Sequence, residues 1–254
     1  MSKMLVLDLD NTLLKSDKTM SPFTIQTLQT CQAHGVKIAF ATARSCKSSA
    51  RIMSHFMPDI FIGYGGALVI SGGETIHRAD ICADVSAALI QDCLGVPDIS
   101  HIYAVNENTA LTNDKKTMAA QDYTHYQYHN FARPPAQHFL KISIEAANPD
   151  VVYAIAGRYP MCDMARFTGE DLYRFVNKNA VKWTAVQAVA RHHGLNTGDF
   201  IAFGDDAIDL DMIKHCGTGV AMANAIDSVK AAADHICDSN DNDGVAKWLR
   251  QHLL

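Results

Sequence analysis

No stretch of this 254-residue chain offers the roughly 20 consecutive apolar residues that a membrane span needs. The N-terminal run Met4-Leu5-Val6-Leu7 meets Asp8 too early for a secretory signal. No CxxC pair occurs among the seven cysteines (Cys31, Cys46, Cys82, Cys93, Cys162, Cys216, Cys237). Their odd number and scatter argue against a disulfide framework and against a zinc site, and reduced thiols of a cytoplasmic protein are the expectation. Positive charge is not in excess. Lys plus Arg is 22 against 27 Asp plus Glu, a net charge of −5, so nothing electrostatic draws the chain to nucleic acid or to an anionic membrane. A Walker-type or GxGxxG phosphate loop is missing, and so is any internal repeat. What is plentiful is apolar: 48% of residues are hydrophobic and 19% charged, which excludes a disordered chain.

The first 75 residues alternate strand and helix signals. Met4–Leu7 is a buried-strand run, and Ser21-Pro22 reads as an N-cap with proline at the first helical position. Ile25, Leu28 and Cys31 recur at helical spacing before Gly35. Val36–Ala41 is a second strand, 48–57 a helix, Asp59–Gly63 a third strand, and Ala67–His77 a hairpin folded at Gly72-Gly73. The last third resumes the alternation. A helix over Lys182–His193 stops at Gly194; Phe200–Phe203, Gly219–Met222 and His235–Cys237 read as strands, and Ala207–His215, Asn224–Ala233 and Gly244–Leu253 as helices. Such alternation predicts a parallel sheet with right-handed crossovers. Between them the composition shifts toward Tyr, His and Pro, with strand candidates at His101–Val105, Phe139–Glu145, Met161–Phe167 and Leu172–Val176. The expected organisation is therefore one α/β domain from residues 1–79 and 178–254, with an α+β insertion at 80–177.

Carboxylates gather where the strands end. Asp8 and Asp10 follow the first strand two positions apart, so in extended chain they point the same way. Paired like charges repel unless a cation or a proton compensates, and hard oxygen donors favour Mg2+. Read alone, Asp10-Asn11 could equally open an ordinary turn. But Gly204-Asp205-Asp206-Ala207-Ile208-Asp209 repeats the pattern after another apolar strand, Thr42 follows the second strand, and Lys182 opens the helix leading to the acidic segment. Ligands of open parallel sheets bind at the carboxyl ends of strands. A hydroxyl, a lysine and several carboxylates brought to one edge describe a site for a phosphoryl group.

In these residues the chain resembles the haloacid dehalogenase superfamily, specifically its Cof-type phosphatases. The resemblance rests on Asp8-Leu9-Asp10-Asn11-Thr12-Leu13-Leu14, Ala41-Thr42-Ala43-Arg44, Lys182, Gly204-Asp205 with Asp209, Ala221-Met222-Ala223-Asn224-Ala225 and Asp243-Gly244-Val245-Ala246. It implies a Rossmann-like three-layer core with a parallel sheet, plus an inserted α+β cap domain. It also implies Mg2+-dependent hydrolysis of phosphate monoesters of small metabolites, sugar phosphates first, through an aspartyl-phosphate. In that scheme Asp8 is the nucleophile and Asp10 the acid and base, with a carboxyl whose pKa neighbouring negative charge raises. The metal is held by Asp8, the Asp10 main-chain carbonyl and Asp205. Thr42, Lys182 and Asn224 serve the phosphoryl group, Asp209 orients Lys182 or a metal-bound water, and Arg44 is placed to touch substrate.

Three positions depart from the family pattern: Asn11 for glycine, Gly65-Gly66-Ala67 for Asn-Gly-Ala, and Ile208 before Asp209. The last two remove polar groups near the site, which lowers the activity expected. They keep a weakly active or non-catalytic binding protein in view, beside a phosphomutase. Outside this set, His125 and His129 share helical spacing without an HExxH motif, and Arg44, Lys47 and Arg51 read as a solvated helix face. Tyr123, Tyr126 and Tyr128 line either a pocket or the core of the insertion.

Overall fold

The structure is a computed structural model in which residues 4–119, 126–167 and 169–254 are described. The chain divides into two compact units, Met1–Arg78 with Val181–Leu254, and Ala79–Ala180.

The first unit opens with β1 (Met4–Leu7), whose four residues are all buried. Leu9–Leu13 follows as one wide turn, closed by the Leu14 N–H donating to the Leu9 carbonyl at 2.8 Å. Helix α1 (Pro22–Ala33) begins as its sequence dictates: the Ser21 hydroxyl accepts from the Thr24 N–H, and Pro22 takes the position where its missing N–H costs nothing. Strand β2 (Lys37–Ala41) leads to α2 (Cys46–Met53), β3 (Ile60–Gly63) and the hairpin of β4 (Leu68–Ser71) and β5 (Glu74–Arg78). Gly72 and Gly73 turn that hairpin at φ +57° and +85°. Helix α2 differs from the 48–57 expectation at both ends. Ser45 and Ser48 cap it reciprocally, which starts it at Cys46. At the other end the Ser54 hydroxyl donates to the Arg51 carbonyl and competes with the helical ladder.

The inserted unit contains α3 (Ala83–Cys93), β6 (Ile99–Val105), β7 (Ala110–Thr112), α4 (Lys115–Ala119), β8 (Gln127–Tyr128), β9 (Lys141–Ala146), α5 (Pro149–Ala156), β10 (Cys162–Arg166) and β11 (Leu172–Asn177). Its sheet runs β10-β11-β9-β6-β7-β8 and is antiparallel except between β7 and β8. Ile102, Ile142, Ile144, Tyr173 and Phe175 pack with Leu89 and Ile90 of α3 and Val152 of α5, so the helices cover one face. Strands β7 and β8 escape a sequence reading because two or three residues show no alternation.

The chain returns to the first unit with α6 (Lys182–His193), ended by Gly194 at φ +62°. Strand β12 (Phe200–Gly204) is followed by a tight turn, Ala207–Asp209, and only then by α7 (Leu210–His215), where one continuous helix is expected from sequence. The Asp206 and Asp209 side chains cap that turn reciprocally. Strand β13 (Thr218–Ala221), α8 (Asp227–Ala232), β14 (His235–Ile236) and α9 (Gly244–His252) complete the unit. The 224–233 helix starts late because the Asn224 side chain is committed to other loops, as described below.

The eight-stranded sheet runs β14-β13-β12-β1-β2-β3-β4-β5, parallel from β14 to β3. Strand β1 lies between β12 and β2, with Leu7 opposite both Phe203 and Phe40. The carboxyl ends of three strands therefore finish level, at the point where the connections diverge to opposite sides, which is where open α/β sheets bind ligands. Helix α1 packs on α9 and α6 on α7. Leu5, Val6, Ile38, Phe40, Phe200, Phe203 and Val220 are fully buried in the core between. Each such side chain contributes about 1.5–3 kcal/mol by leaving water. No helix among the described residues is long and apolar enough to cross a membrane.

Candidate active site

Asp8 is the first residue past β1. Its N–H donates to the Phe203 carbonyl at 3.1 Å, which extends the ladder by one bond and fixes the carboxylate beside β12. Asp205 is the first residue past β12, and Asp209 closes the following turn. One carboxylate oxygen from each of the three lies within 4.8 Å of the others, and all three residues are buried. Helix α6 delivers Lys182 to this cluster from its first position. The Lys182 Nζ donates to Asp8 Oδ1 at 2.5 Å and to Asp209 Oδ1 at 2.6 Å.

The electrostatics follow from burial and crowding. Desolvation, reinforced by Asp209 and Asp205, pushes the Asp8 carboxyl well above the usual range despite the pull of Lys182. Burial likewise raises Asp205 to about 6, against the hydrogen bond that the Thr12 hydroxyl donates to its Oδ1 at 2.7 Å. Burial disfavours the charge on Lys182, but Asp209 and Asp8 outweigh it and hold the ammonium protonated beyond its ordinary range.

Asp209 spends both oxygens inside the protein, since Oδ2 accepts from the Asp205 and Asp206 N–H groups at 3.1 and 3.2 Å. It therefore orients Lys182 and the Asp205 loop. A Cβ on Gly204 would stand 2.5 Å from the Asp209 Cβ, so glycine admits this close approach. Asp8 and Asp205 each keep one oxygen without a hydrogen-bond partner among the described residues. Three carboxylates against one ammonium leave two negative charges, and the donors are all hard oxygen. That donor set fits a divalent cation such as Mg2+.

Thr42 follows β2 and is buried; its hydroxyl accepts from the Arg44 N–H at 3.1 Å, which leaves its own proton to donate. Asp10 departs from the sequence expectation. Arg44 grips its carboxylate with both arms, Nε to Oδ2 at 2.7 Å and Nη2 to Oδ1 at 2.6 Å, and Lys18 adds an ion pair at 3.0 Å. Partial burial works to raise the pKa, but these cations outweigh it and lower it, where neighbouring negative charge was expected to raise it. Arg44 is accordingly the ion-pair partner of Asp10 and not simply part of a solvated helix face. Asn224 is held between two loops. Its amide donates to the Asn11 carbonyl at 2.7 Å and accepts from the Asn240 N–H at 3.0 Å, so it braces the loop after Asp10 against the Asn240 turn.

Two contributors escaped the sequence reading. Thr12 lay inside the recognised motif, yet only a contact 193 positions away reveals its role. The other is Gly66. A Cβ there would lie 2.4 Å from the Val181 main chain, so its absence lets the loop meet the start of α6, where Lys182 is mounted. Tyr123 and His125 lie outside the described residues.

The model of a family described as haloacid dehalogenase-like hydrolase matches residues 5–249. A Bacillus subtilis protein named 5-amino-6-(5-phospho-D-ribitylamino)uracil phosphatase is 26% identical over 269 residues, covering 98% of this chain and 97% of its own. A haloacid dehalogenase-like hydrolase from Bacteroides thetaiotaomicron superposes with a TM-score of 0.87 at 24% identity over 99% of both chains. A structure described as a subclass IIB sugar phosphatase does so at 0.84 and 23%, over 98% of both. With a match that spans nearly its whole length and an acidic cluster at the carboxyl edge of the sheet, the chain belongs to the Cof-type haloacid dehalogenase-like hydrolases.

Proposed function

We propose that the protein is a cytoplasmic, Mg2+-dependent phosphatase of small phosphorylated metabolites, sugar phosphates or sugar-alcohol phosphates foremost. The observation that carries this reading is the Asp8–Lys182–Asp209 arrangement beside Asp205. Two relatives named for sugar or phospho-ribityl substrates support the substrate class. An odd number of scattered cysteines with no CxxC pair agrees with a reducing compartment.

Asp8 attacks phosphorus, forming an O–P bond as the alkoxide leaves; water then cleaves the aspartyl-phosphate. Lys182 has three N–H donors and spends two on Asp8 and Asp209, which leaves the third for a phosphoryl oxygen. The Thr42 hydroxyl donates to another. Asp8, Asp205 and the Asp10 main-chain carbonyl would hold Mg2+, which when bound neutralises and orients the phosphoryl group. Asp10 exchanges protons with the leaving oxygen and the water. Arg44 and Lys18 keep it ionised at rest, the state suited to accepting a proton from water, so its earlier service as an acid requires the Arg44 pair to loosen.

The test is release of inorganic phosphate from a panel of phosphorylated metabolites, with Mg2+ or with a chelator, by the native protein and Asp8→Asn. Asp8→Asn is expected to lose at least about a thousandfold in kcat, as nucleophile removals do. Equal turnover by the variant, or none by the native protein on any ester, would sink the reading.

A further inference from the structure

Residues 11–14 of the first unit are gripped from two sides. On one side the Thr12 hydroxyl donates to Asp205 Oδ1 at 2.7 Å. On the other stands Asn240, in the tight turn Asn240–Asn242 between β14 and α9. Its side-chain amide donates to the Leu14 carbonyl at 2.9 Å, across 226 positions of sequence. Its main-chain N–H donates to the Asn224 side chain at 3.0 Å, and that amide in turn donates to the Asn11 carbonyl at 2.7 Å. Both ends of the segment are therefore pinned to one residue, directly at Leu14 and through Asn224 at Asn11.

The segment needs such a hold. Asp10 is extended (φ −72°, ψ 130°) and Asn11 left-handed (φ 57°, ψ 7°), the pair of conformations of a type II turn. The peptide between them carries the Asp10 carbonyl, and a residue with a Cβ keeps a positive φ only where its surroundings fix it. The orientation of that carbonyl thus depends on a conformation the chain alone disfavours. Asn240 is a firm mount for the bonds that hold it. It is only 6% exposed, and its turn is closed by the Gly244 N–H donating to the Ser239 carbonyl at 3.0 Å. A buried amide recovers the cost of leaving water only through bonds of this kind.

We propose that Asn240 is a positioning residue of the metal site: by pinning Leu14 and, through Asn224, Asn11, it fixes two of the donors that would hold Mg2+, the Asp205 carboxylate and the Asp10 main-chain carbonyl. It acts through these neighbours and not on the ester. Its role rests on the Mg2+ site proposed above but not on the hydrolysis. Hydrogen bonds that orient metal ligands from outside typically cost ten- to a hundredfold in metal affinity when they are removed.

Magnesium chloride is the probe, titrated into the full-length protein and followed by calorimetry. No ester is present, so no contact of Asn224 with a phosphoryl group enters the result. Asn240→Asp keeps the shape of the side chain but removes the donor to Leu14 and sets two acceptors against each other. It is expected to weaken Mg2+ binding about tenfold or more. Asp241→Ala is the control. It releases the Ser16 N–H and hydroxyl, held at 2.8 and 2.7 Å just beyond the pinned segment, and should leave the Mg2+ affinity unchanged. Unchanged affinity in Asn240→Asp, whatever its melting temperature, would mean a purely structural bond and overturns the role. Equal weakening in Asp241→Ala overturns it too, since any loosening of the loop would then suffice. If Asn240→Asp does not fold, Asn224→Ala, at an exposed position, decides in its place: a tenfold loss supports the relay from Asn240, and an unchanged affinity overturns it. A native protein that binds no Mg2+ also overturns the role. One that binds Mg2+ yet cleaves no ester refutes the hydrolysis and leaves the part played by Asn240 to stand or fall on the variants.

Discussion

Arg44 has one physical task that can be isolated from catalysis, which is to keep Asp10 ionised. The pair is bidentate and partly exposed, so its worth is modest and depends on the charge of the carboxylate. An unfolded aspartate titrates near 3.9, and the folded Asp10 lies lower. A carboxyl depressed by folding stabilises the protein above the unfolded pKa and loses that contribution as pH falls through the folded one. Arg44→Ala should therefore lower the melting temperature at pH 7, by an amount that shrinks as pH falls through the lowered pKa of Asp10 and vanishes in acid strong enough to protonate Asp10 in both proteins. Paired thermal melts across that range check it. A deficit of constant size would mean that Arg44 stabilises by packing, not by charge.

At the scale of elements, the site is a problem of mounting. Lys182 is useful because α6 begins at the right place, and α6 begins there because the Gly65-Gly66 loop lets its first main-chain atoms come close. Gly66 has φ +106° and no room for a Cβ, whereas Gly72 has φ +57° and open space around it. Alanine costs both positions the left-handed conformation, about 1–2 kcal/mol. Only at position 66 does it also force the Val181 main chain to move. Gly66→Ala is expected to destabilise by about 2 kcal/mol more than Gly72→Ala in urea titrations, and to lower kcat while Gly72→Ala leaves it unchanged. Equal losses would show that the loop does not hold Lys182 in place.

The same contrast explains what the sequence could reveal. Asp8, Asp205, Asp209, Thr42 and Lys182 were legible because each stands at the end of a strand or the start of a helix whose pattern is strong, and topology then brings those ends level. The Ser21 cap and the Gly72-Gly73 turn were legible because they are local. What could not be read depends on partners far along the chain. Arg44 reverses the expected shift of Asp10 across 34 positions, Asn224 reaches Asn11 across 213, and Gly66 owes its meaning to Val181.

Taken whole, the first unit is under a strain of its own making, since its core ends in three buried carboxylates with a single buried ammonium among them. Surplus negative charge opposes folding, which is also what raises the Asp8 and Asp205 carboxyls, and a divalent cation relieves that opposition, so binding and folding of this unit are linked. A ligand that binds only the folded chain stabilises it by RT ln(1 + [L]/Kd), about 2.7 kcal/mol at one hundred times Kd. Calorimetric scans of the full chain should therefore show Mg2+ raising the transition of the first unit by several degrees. Asp205→Asn removes one surplus charge and one metal oxygen together. It should melt higher than the native protein without metal, and gain little when Mg2+ is added. A variant that is less stable without metal would show that Asp205 is needed for its hydrogen bond with Thr12 more than it is resented for its charge. A full response to Mg2+ in that variant would remove Asp205 from the metal site.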